Sequence, residues 1–147
     1  MTEAPAFEAA TRFFDKIAEP HCIVPPPTPF DWTQGHLAEG LRCFHSGAFF
    51  EAHEHWEVVW LAAQEPGKTF LQGLIQVAAA FHHFQRRNYE GTFSLLRSAL
   101  RRLDGYPEVF AGVMVAPLRV TIRSWLETLE ATPHPPTPPV PRIQLTA

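Results

Sequence analysis

Residues 49–64 read FFEAHEHWEVVWLAAQ and residues 68–84 read KTFLQGLIQVAAAFHHF, with a proline-glycine pair at 66–67 between them. Apolar residues recur in both stretches at three- and four-residue spacing, which is the period of an α-helix with a buried face. A proline-glycine pair ends a helix and turns the chain. The two stretches therefore predict consecutive antiparallel helices that pack against each other.

The helical period continues on both sides of this pair. It predicts helices over residues 7–18, 33–46 and 89–103, and a last helix from Pro117 to about residue 130. Gly47 should end the second of these, Asn88 should cap the third, and DGYP at 104–107 should form a turn. No convincing alternating strand pattern is present. The predicted fold class is all-α, a single-domain antiparallel helical bundle of about five to six helices.

Prolines mark the limits of this bundle. Five lie within residues 20–29 and six within residues 133–141, where they disfavour helix. The predicted organisation is a leading helix with a Pro-rich linker at 1–30, the helical-bundle domain at 31–131 and a Pro-rich tail at 132–147. We expect the tail to be poorly ordered.

Charge and composition exclude several classes of protein. The net charge is −3, which argues against nucleic-acid binding, and the five arginines of 86–102 are expected on a solvated helix face. No apolar run is long enough to cross a membrane, and the first residues do not resemble a signal peptide. With two cysteines in the chain, the sequence predicts a cytoplasmic protein with reduced thiols.

Polar side chains interrupt both apolar stripes of the central helix pair. His53 and Glu57 lie four residues apart in the middle of an aromatic stripe, beside Trp56 and Trp60. A second stripe, rich in Gly and Ala, carries Gln72, Gln76 and His83. Buried polar groups are costly unless they find partners. The sequence therefore predicts one polar cluster of His53, Glu57, Gln72, Gln76 and His83 between the two helices, walled by the tryptophans.

These stretches also carry a family resemblance. FHSGAFFEAHEHWEVVW at 44–60, followed by FLQGLIQVAAAFHHF at 70–84, resembles the domain of unknown function 309 family. The family motif, approximately H-x-x-x-E-x-x-W, Q-G-x-x-Q and a later His, matches residues 53, 57, 60, 72, 73, 76 and 83. The resemblance covers roughly residues 34–104. It implies a small all-helical prokaryotic protein and supplies no established activity.

Several functions are compatible with the predicted cluster. His53, Glu57 and His83 offer the ligands of a divalent-metal site with an open position. Alternatively, Glu57 could orient His53 as a general base in a hydrolase-like enzyme. In that case an unknown small molecule would contact the remaining ligand-binding candidates, Trp56, Trp60, Gln72, Gln76 and His83.

The non-catalytic alternatives are a network that only fixes helix packing and a module that binds another helix or forms a homodimer. The sequence leaves open whether the protein is an enzyme. The working hypothesis is a helical protein that binds a small ligand or a metal.

Overall fold

The computed structural model describes residues 30–131 and 138–146, and five α-helices lie within them. They are α1 Gly35–His45, α2 Phe49–Ala62, α3 Gly67–Gln85, α4 Tyr89–Leu103 and α5 Val115–Ala131. A short hairpin, β1 Val109–Phe110 and β2 Val113–Met114, precedes α5. The predicted all-α bundle is confirmed. The predicted leading helix at 7–18 and the Pro-rich segment at 20–29 lie outside the described residues.

The helix ends follow local sequence signals. Gly47 adopts a φ of 86° just after α1, a conformation that favours glycine. The side-chain oxygen of Asn88 accepts a hydrogen bond from the Gly91 N–H at 3.0 Å, which caps α4 as predicted. Pro117 lies in the first turn of α5, where its missing N–H is not needed.

Helix α3 occupies the centre of the bundle. It packs against α2 on one side and α4 on the other, while α1 packs on α2 and α5 packs on α4. Its bulky side chains are fully buried, and burying each one contributes about 1.5–3 kcal/mol to folding. These side chains are Phe70, Leu71, Leu74, Val77 and Phe81. None of the described helices is both long enough and apolar enough to cross a membrane.

Helices α1 and α2 approach closely at one glycine. A Cβ atom on Gly40 would lie 2.3 Å from Nε1 of the buried Trp56. The same Nε1 donates a hydrogen bond to the Leu37 carbonyl at 3.3 Å, and the Trp56 ring stacks on Phe44 at 5.8 Å. Because glycine alone leaves room for the indole, this contact fixes the register of the two helices.

The hairpin was not predicted from the sequence. Its two turn residues, Ala111 and Gly112, adopt φ values of 51° and 80°. Two consecutive positive φ angles are the mark of a type I′ turn, whose twist suits a tight hairpin. Trp32 donates a hydrogen bond through Nε1 to the Ala111 carbonyl at 2.9 Å. This bond ties the turn to the segment that precedes α1.

The expectation of a poorly ordered tail is wrong for residues 138–146. This segment runs extended along the bundle, with Pro141 and Ile143 buried. The Met114 N–H donates to the Gln144 carbonyl at 2.8 Å, and Val113 forms a β-bridge with Leu145. The segment therefore supports the back of the hairpin. Proline spacing alone does not reveal that buried apolar side chains anchor such a segment.

Candidate functional site

His53 and Glu57 form the pair that their spacing predicts. The His53 Nε2 atom lies 2.7 Å from Glu57 Oε2, one helical turn away on α2. The two side chains are 17% and 30% exposed, so the pair lies near the surface rather than deep in a dry seam. Glu57 engages one imidazole nitrogen, and the other, Nδ1, is buried. A substrate arriving from solvent would therefore reach neither nitrogen readily.

The aromatic neighbours of this pair differ from the prediction. The Phe50 ring lies 6.0 Å from the His53 ring and 5.2 Å from the His82 ring, and Phe50 is 46% exposed. His82 is not among the site residues predicted from the sequence, yet its ring lies closer to Phe50 than the His53 ring does. Burial, followed by the charge of Arg86, lowers the pKa of His82. Low polarity at this edge therefore favours the neutral imidazole.

Gln72 and Gln76 point toward α4. With its amide oxygen facing Arg102, Gln72 accepts hydrogen bonds from Nε at 3.1 Å and Nη2 at 2.9 Å. Gln76 donates to the Ser98 hydroxyl at 3.1 Å, and Arg102 donates to the same hydroxyl at 2.8 Å. The hydrogen bonds that hold the two glutamines thus cross the α3–α4 contact. We call these four residues the α3–α4 polar seam.

The seam corrects two expectations. The sequence predicts both glutamines in the contact with α2, because consecutive helices joined by a short turn are expected to pack against each other. It also placed Arg102 on a solvated face, whereas Arg102 is half-buried and the other four arginines of that group are exposed. The missed signal was the spacing of Ser98 and Arg102, which are four apart and therefore share a face of α4.

His83 lies at the end of α3, where its Nδ1 atom is 3.0 Å from Asn88 Nδ2. It thus supports the cap of α4. Within residues 30–131 and 138–146, no group of three or more His, Cys, Asp or Glu side chains is arranged to hold a metal ion. His53, Glu57 and His83 therefore do not form a preassembled metal site in this conformation.

The two tryptophans serve packing in the structure. Trp56 is fully buried against α1. Trp60 is 6% exposed, and the Lys68 ammonium lies 4.2 Å from its ring centroid, a cation–π contact between α2 and α3. Neither residue lines the cavity described next.

A cavity of about 620 Å³ opens where the α2–α3 turn meets the hairpin. Its size is in the range of small-molecule sites. The side chains around it are mostly apolar. The lining residues are Phe30, Asp31, Leu37, Val59, Ala62, Ala63, Gln64, Gly67, Phe110 and Ala111. The sequence did not predict this cavity, because its residues come from four separate segments and share no motif.

Two contacts hold the α2–α3 turn beside the cavity. Gly67 leaves little space for a side chain, since a Cβ atom there would lie 3.0 Å from the Phe30 ring. Tyr106 donates a hydrogen bond to the Pro66 carbonyl at 2.7 Å and so supports the α2–α3 turn. Burial raises the pKa of Tyr106 to about 12, so this phenol keeps its proton at neutral pH.

Asp31 brings a negative charge to the cavity rim. Its carboxylate accepts hydrogen bonds from the Thr33 N–H at 2.9 Å and the Gln34 side-chain amide at 2.8 Å. Hydrogen bonds from Thr33 are the main reason that the pKa of Asp31 lies below its usual value. The exposed carboxylate is therefore ionised at neutral pH, beside an otherwise apolar cavity.

Comparison with known proteins shows what the chain is similar to. Residues 37–95 match the family model described as Domain of unknown function, DUF309. Over 95 residues the chain is 32% identical to an uncharacterized protein of Aquifex aeolicus (strain VF5). That alignment covers 64% of this chain and 28% of the relative, so the chain spans less than a third of the relative's length.

The match over residues 37–95 and the similar relative confirm the resemblance to the DUF309 family that the sequence predicts. The matched region contains all seven site residues predicted from the sequence. It begins after Phe30 and Asp31 and ends before Ser98, Arg102 and the hairpin. Two of the four seam residues and four of the residues that line the cavity therefore lie outside it.

Proposed function

We propose that this protein binds a small, largely apolar molecule in the cavity between the α2–α3 turn and the hairpin. The cavity itself is the observation that carries the proposal. It measures about 620 Å³ and is lined by segments that hydrogen bonds and buried side chains hold in place. Pockets of this size with a few polar groups are the usual form of small-molecule sites.

The rim indicates the chemistry of the ligand. Asp31 and Gln64 supply the polar side chains among the described lining residues, and the rest of the lining is apolar. An ionised carboxylate at the mouth favours a ligand whose apolar body ends in a cationic or hydrogen-bond-donating group. We infer that such an amphipathic molecule is preferred over a neutral one of the same shape.

Binding without chemistry fits the described lining best. The lining contains no His, Cys or Ser that could act as a base or nucleophile. The polar residues singled out in the sequence have a structural role in this proposal: His53 and Glu57 pair within α2, and the seam fixes α3 against α4. The cytoplasmic location inferred from the sequence stays a prediction.

The test is a calorimetric titration of the protein with two probes of equal shape, naphthylmethanol and the naphthylmethylammonium cation. Both should bind saturably at one site. Ala63→Leu projects a larger side chain into the cavity, and we expect it to weaken both probes about tenfold or more. Asp31→Asn should weaken the cation alone, by about threefold, since exposed charge pairs contribute little.

Ala131→Leu is the matched control, because Ala131 is exposed at the end of α5 and far along the chain from the lining residues. It should leave both affinities unchanged. The proposal fails if the wild-type protein shows no saturable binding of either probe. It also fails if Ala63→Leu binds both probes as the wild type does.

A further inference from the structure

Two histidines outside the cavity and outside the seam face each other across α1 and α2. The Nδ1 atom of His36 lies 2.8 Å from the Nδ1 atom of His55, with the ring centroids 5.1 Å apart. In this arrangement one imidazole donates its Nδ1 hydrogen to the other. Neither residue is among the site residues predicted from the sequence.

The helix contact beneath the pair holds the two residues in position. Trp56, next to His55, donates its hydrogen bond to the carbonyl of Leu37, next to His36. The close approach at Gly40 prevents the helices from sliding or separating there. The backbone positions of the two histidines are therefore fixed before any ligand arrives, which lowers the entropy cost of using both side chains together.

The distance between the two nitrogens suits one class of ligand. Imidazole nitrogens bind late first-row metal dications at about 2.0–2.1 Å. Two such bonds at a right angle place the nitrogens about 2.9 Å apart, whereas tetrahedral bonds place them about 3.3 Å apart. The observed 2.8 Å is close to the right-angle value.

We propose that His36 and His55 form a two-histidine site for a late first-row dication of tetragonal geometry, Ni²⁺ or Cu²⁺. Water completes the coordination, since no three His, Cys, Asp or Glu side chains of the described residues are arranged to hold a metal ion together. On binding, the shared hydrogen moves from Nδ1 to Nε2 of the same ring through solvent. Both rings then turn their Nδ1 lone pairs toward one point beside the line that joins them.

The charges nearby are compatible with a bound cation. Glu39 lies one turn after His36 on α1 and forms an ion pair with Arg42. The hydrogen bond from the Arg42 guanidinium is the main reason that the pKa of Glu39 lies below its usual value. The charges of His55 and His36 lower this pKa further. A carboxylate thus remains ionised within electrostatic reach of both imidazoles.

The experiment uses the full chain without an affinity tag and titrates it with Ni²⁺, Zn²⁺ and Mg²⁺ in separate calorimetric runs. We expect one Ni²⁺ per chain, weaker Zn²⁺ binding and no detectable Mg²⁺ binding, since Mg²⁺ prefers oxygen ligands. Ni²⁺ should also raise the melting temperature of the wild-type protein, because it links two helices of the folded state.

His36→Asn and His55→Asn should each weaken Ni²⁺ binding about tenfold or more, because the remaining imidazole loses its chelating partner. Asparagine keeps hydrogen-bonding capacity, so both variants should fold. His82→Asn is the matched control and should bind Ni²⁺ as the wild type does. Ni²⁺ binding that survives both substitutions overturns the site, as does its absence up to millimolar concentrations. Zn²⁺ binding tighter than Ni²⁺ overturns the tetragonal geometry.

Discussion

The α3–α4 polar seam and the cavity at the α2–α3 turn are built in opposite ways. The seam brings amide, hydroxyl and guanidinium groups together and leaves them little room. Gln72 is 2% exposed, and a Cβ atom on the adjacent Gly73 would already lie 3.1 Å from Leu103. The cavity encloses about 620 Å³ and is lined largely by aliphatic and aromatic carbon.

The difference between the seam and the cavity shows that residues that look unusual in the sequence need not mark the space where a ligand can bind. Polar residues inside an apolar stripe suggest a functional site, yet in this bundle Gln72 and Gln76 hydrogen-bond across a helix contact, and His53 pairs with Glu57 within α2. Buried hydrogen bonds of this kind prevent the cost of unsatisfied groups. Among the described residues, the space for a ligand lies beside small side chains such as Ala62 and Ala63, which carry no motif.

The largest predicted effect, on both stability and the cavity, comes from the C-terminal segment 138–146, which supports the hairpin. Ile143 is 2% exposed, and Ile143→Ala should lower the free energy of unfolding by about 3 kcal/mol. Because the hairpin forms one cavity wall, naphthylmethanol should also bind more weakly. Urea unfolding and calorimetry measure the two effects. Val140→Ala is the control, since Val140 is 41% exposed. If the two variants were equally stable, the claim that the buried Ile143 anchors the segment behind the hairpin would be wrong.

Substitutions in the seam should have a smaller effect on stability and no effect on probe binding in the cavity. Arg102→Met should cost about 2 kcal/mol of unfolding free energy, because it leaves the buried Gln72 oxygen without its donor. Adding Gln72→Leu should recover part of that loss, since an apolar pair needs no hydrogen bond. Urea unfolding of both single variants and the double variant measures the coupling. Arg101→Met is the exposed control.

Strict additivity of the two seam substitutions would show that Gln72 and Arg102 do not interact. A large loss of probe affinity in Arg102→Met, with the fold retained, would show that seam and cavity are not separate. Either result would remove the contrast between the two regions.

The smallest expected effect is a pH dependence of the contact that holds the same C-terminal segment at Ile143. His45 Nε2 accepts a hydrogen bond from the Ile143 N–H at 3.1 Å, which requires the neutral ring at that nitrogen. Burial, followed by the charge of Arg142, lowers the pKa of His45 in the folded state. The unfolded state therefore takes up a proton first as the pH falls below about 6.5, and stability decreases from there.

The His45→Gln variant isolates this contribution, because its side-chain oxygen can accept the same hydrogen bond and does not titrate. Urea unfolding between pH 7.5 and about pH 5.5 should show a smaller decrease for the variant than for the wild type. If the free energy of unfolding decreased equally with pH in the variant and in the wild type, His45 would not be the source of the pH dependence.

The sequence predicted the helices because their signals are local. The apolar period, the Asn88 cap, Gly47 and Pro117 each act within a few residues, so they can be read without knowing the partners. The His53–Glu57 pair was predictable for the same reason, since a four-residue spacing on one helix fixes the neighbour.

The features that were missed depend on contacts between distant segments. Gln72 and Gln76 pair with α4 rather than α2, and periodicity shows that a face is buried but not which helix covers it. The hairpin strands are two residues long, too short for an alternating pattern. The cavity combines residues near 30, 60 and 110, and nothing local marks a volume that side chains leave empty.

Amide chemical shifts of the isotopically labelled full chain, recorded while naphthylmethanol is added, give the most direct test of which region binds. The amides of Val59, Gly67 and Ala111 around the cavity should move progressively and saturate, while those of Gln72, Ser98 and Arg102 should stay in place. Saturating shifts centred on the seam or on His53 and Glu57, with the cavity amides unmoved, would contradict the proposed site.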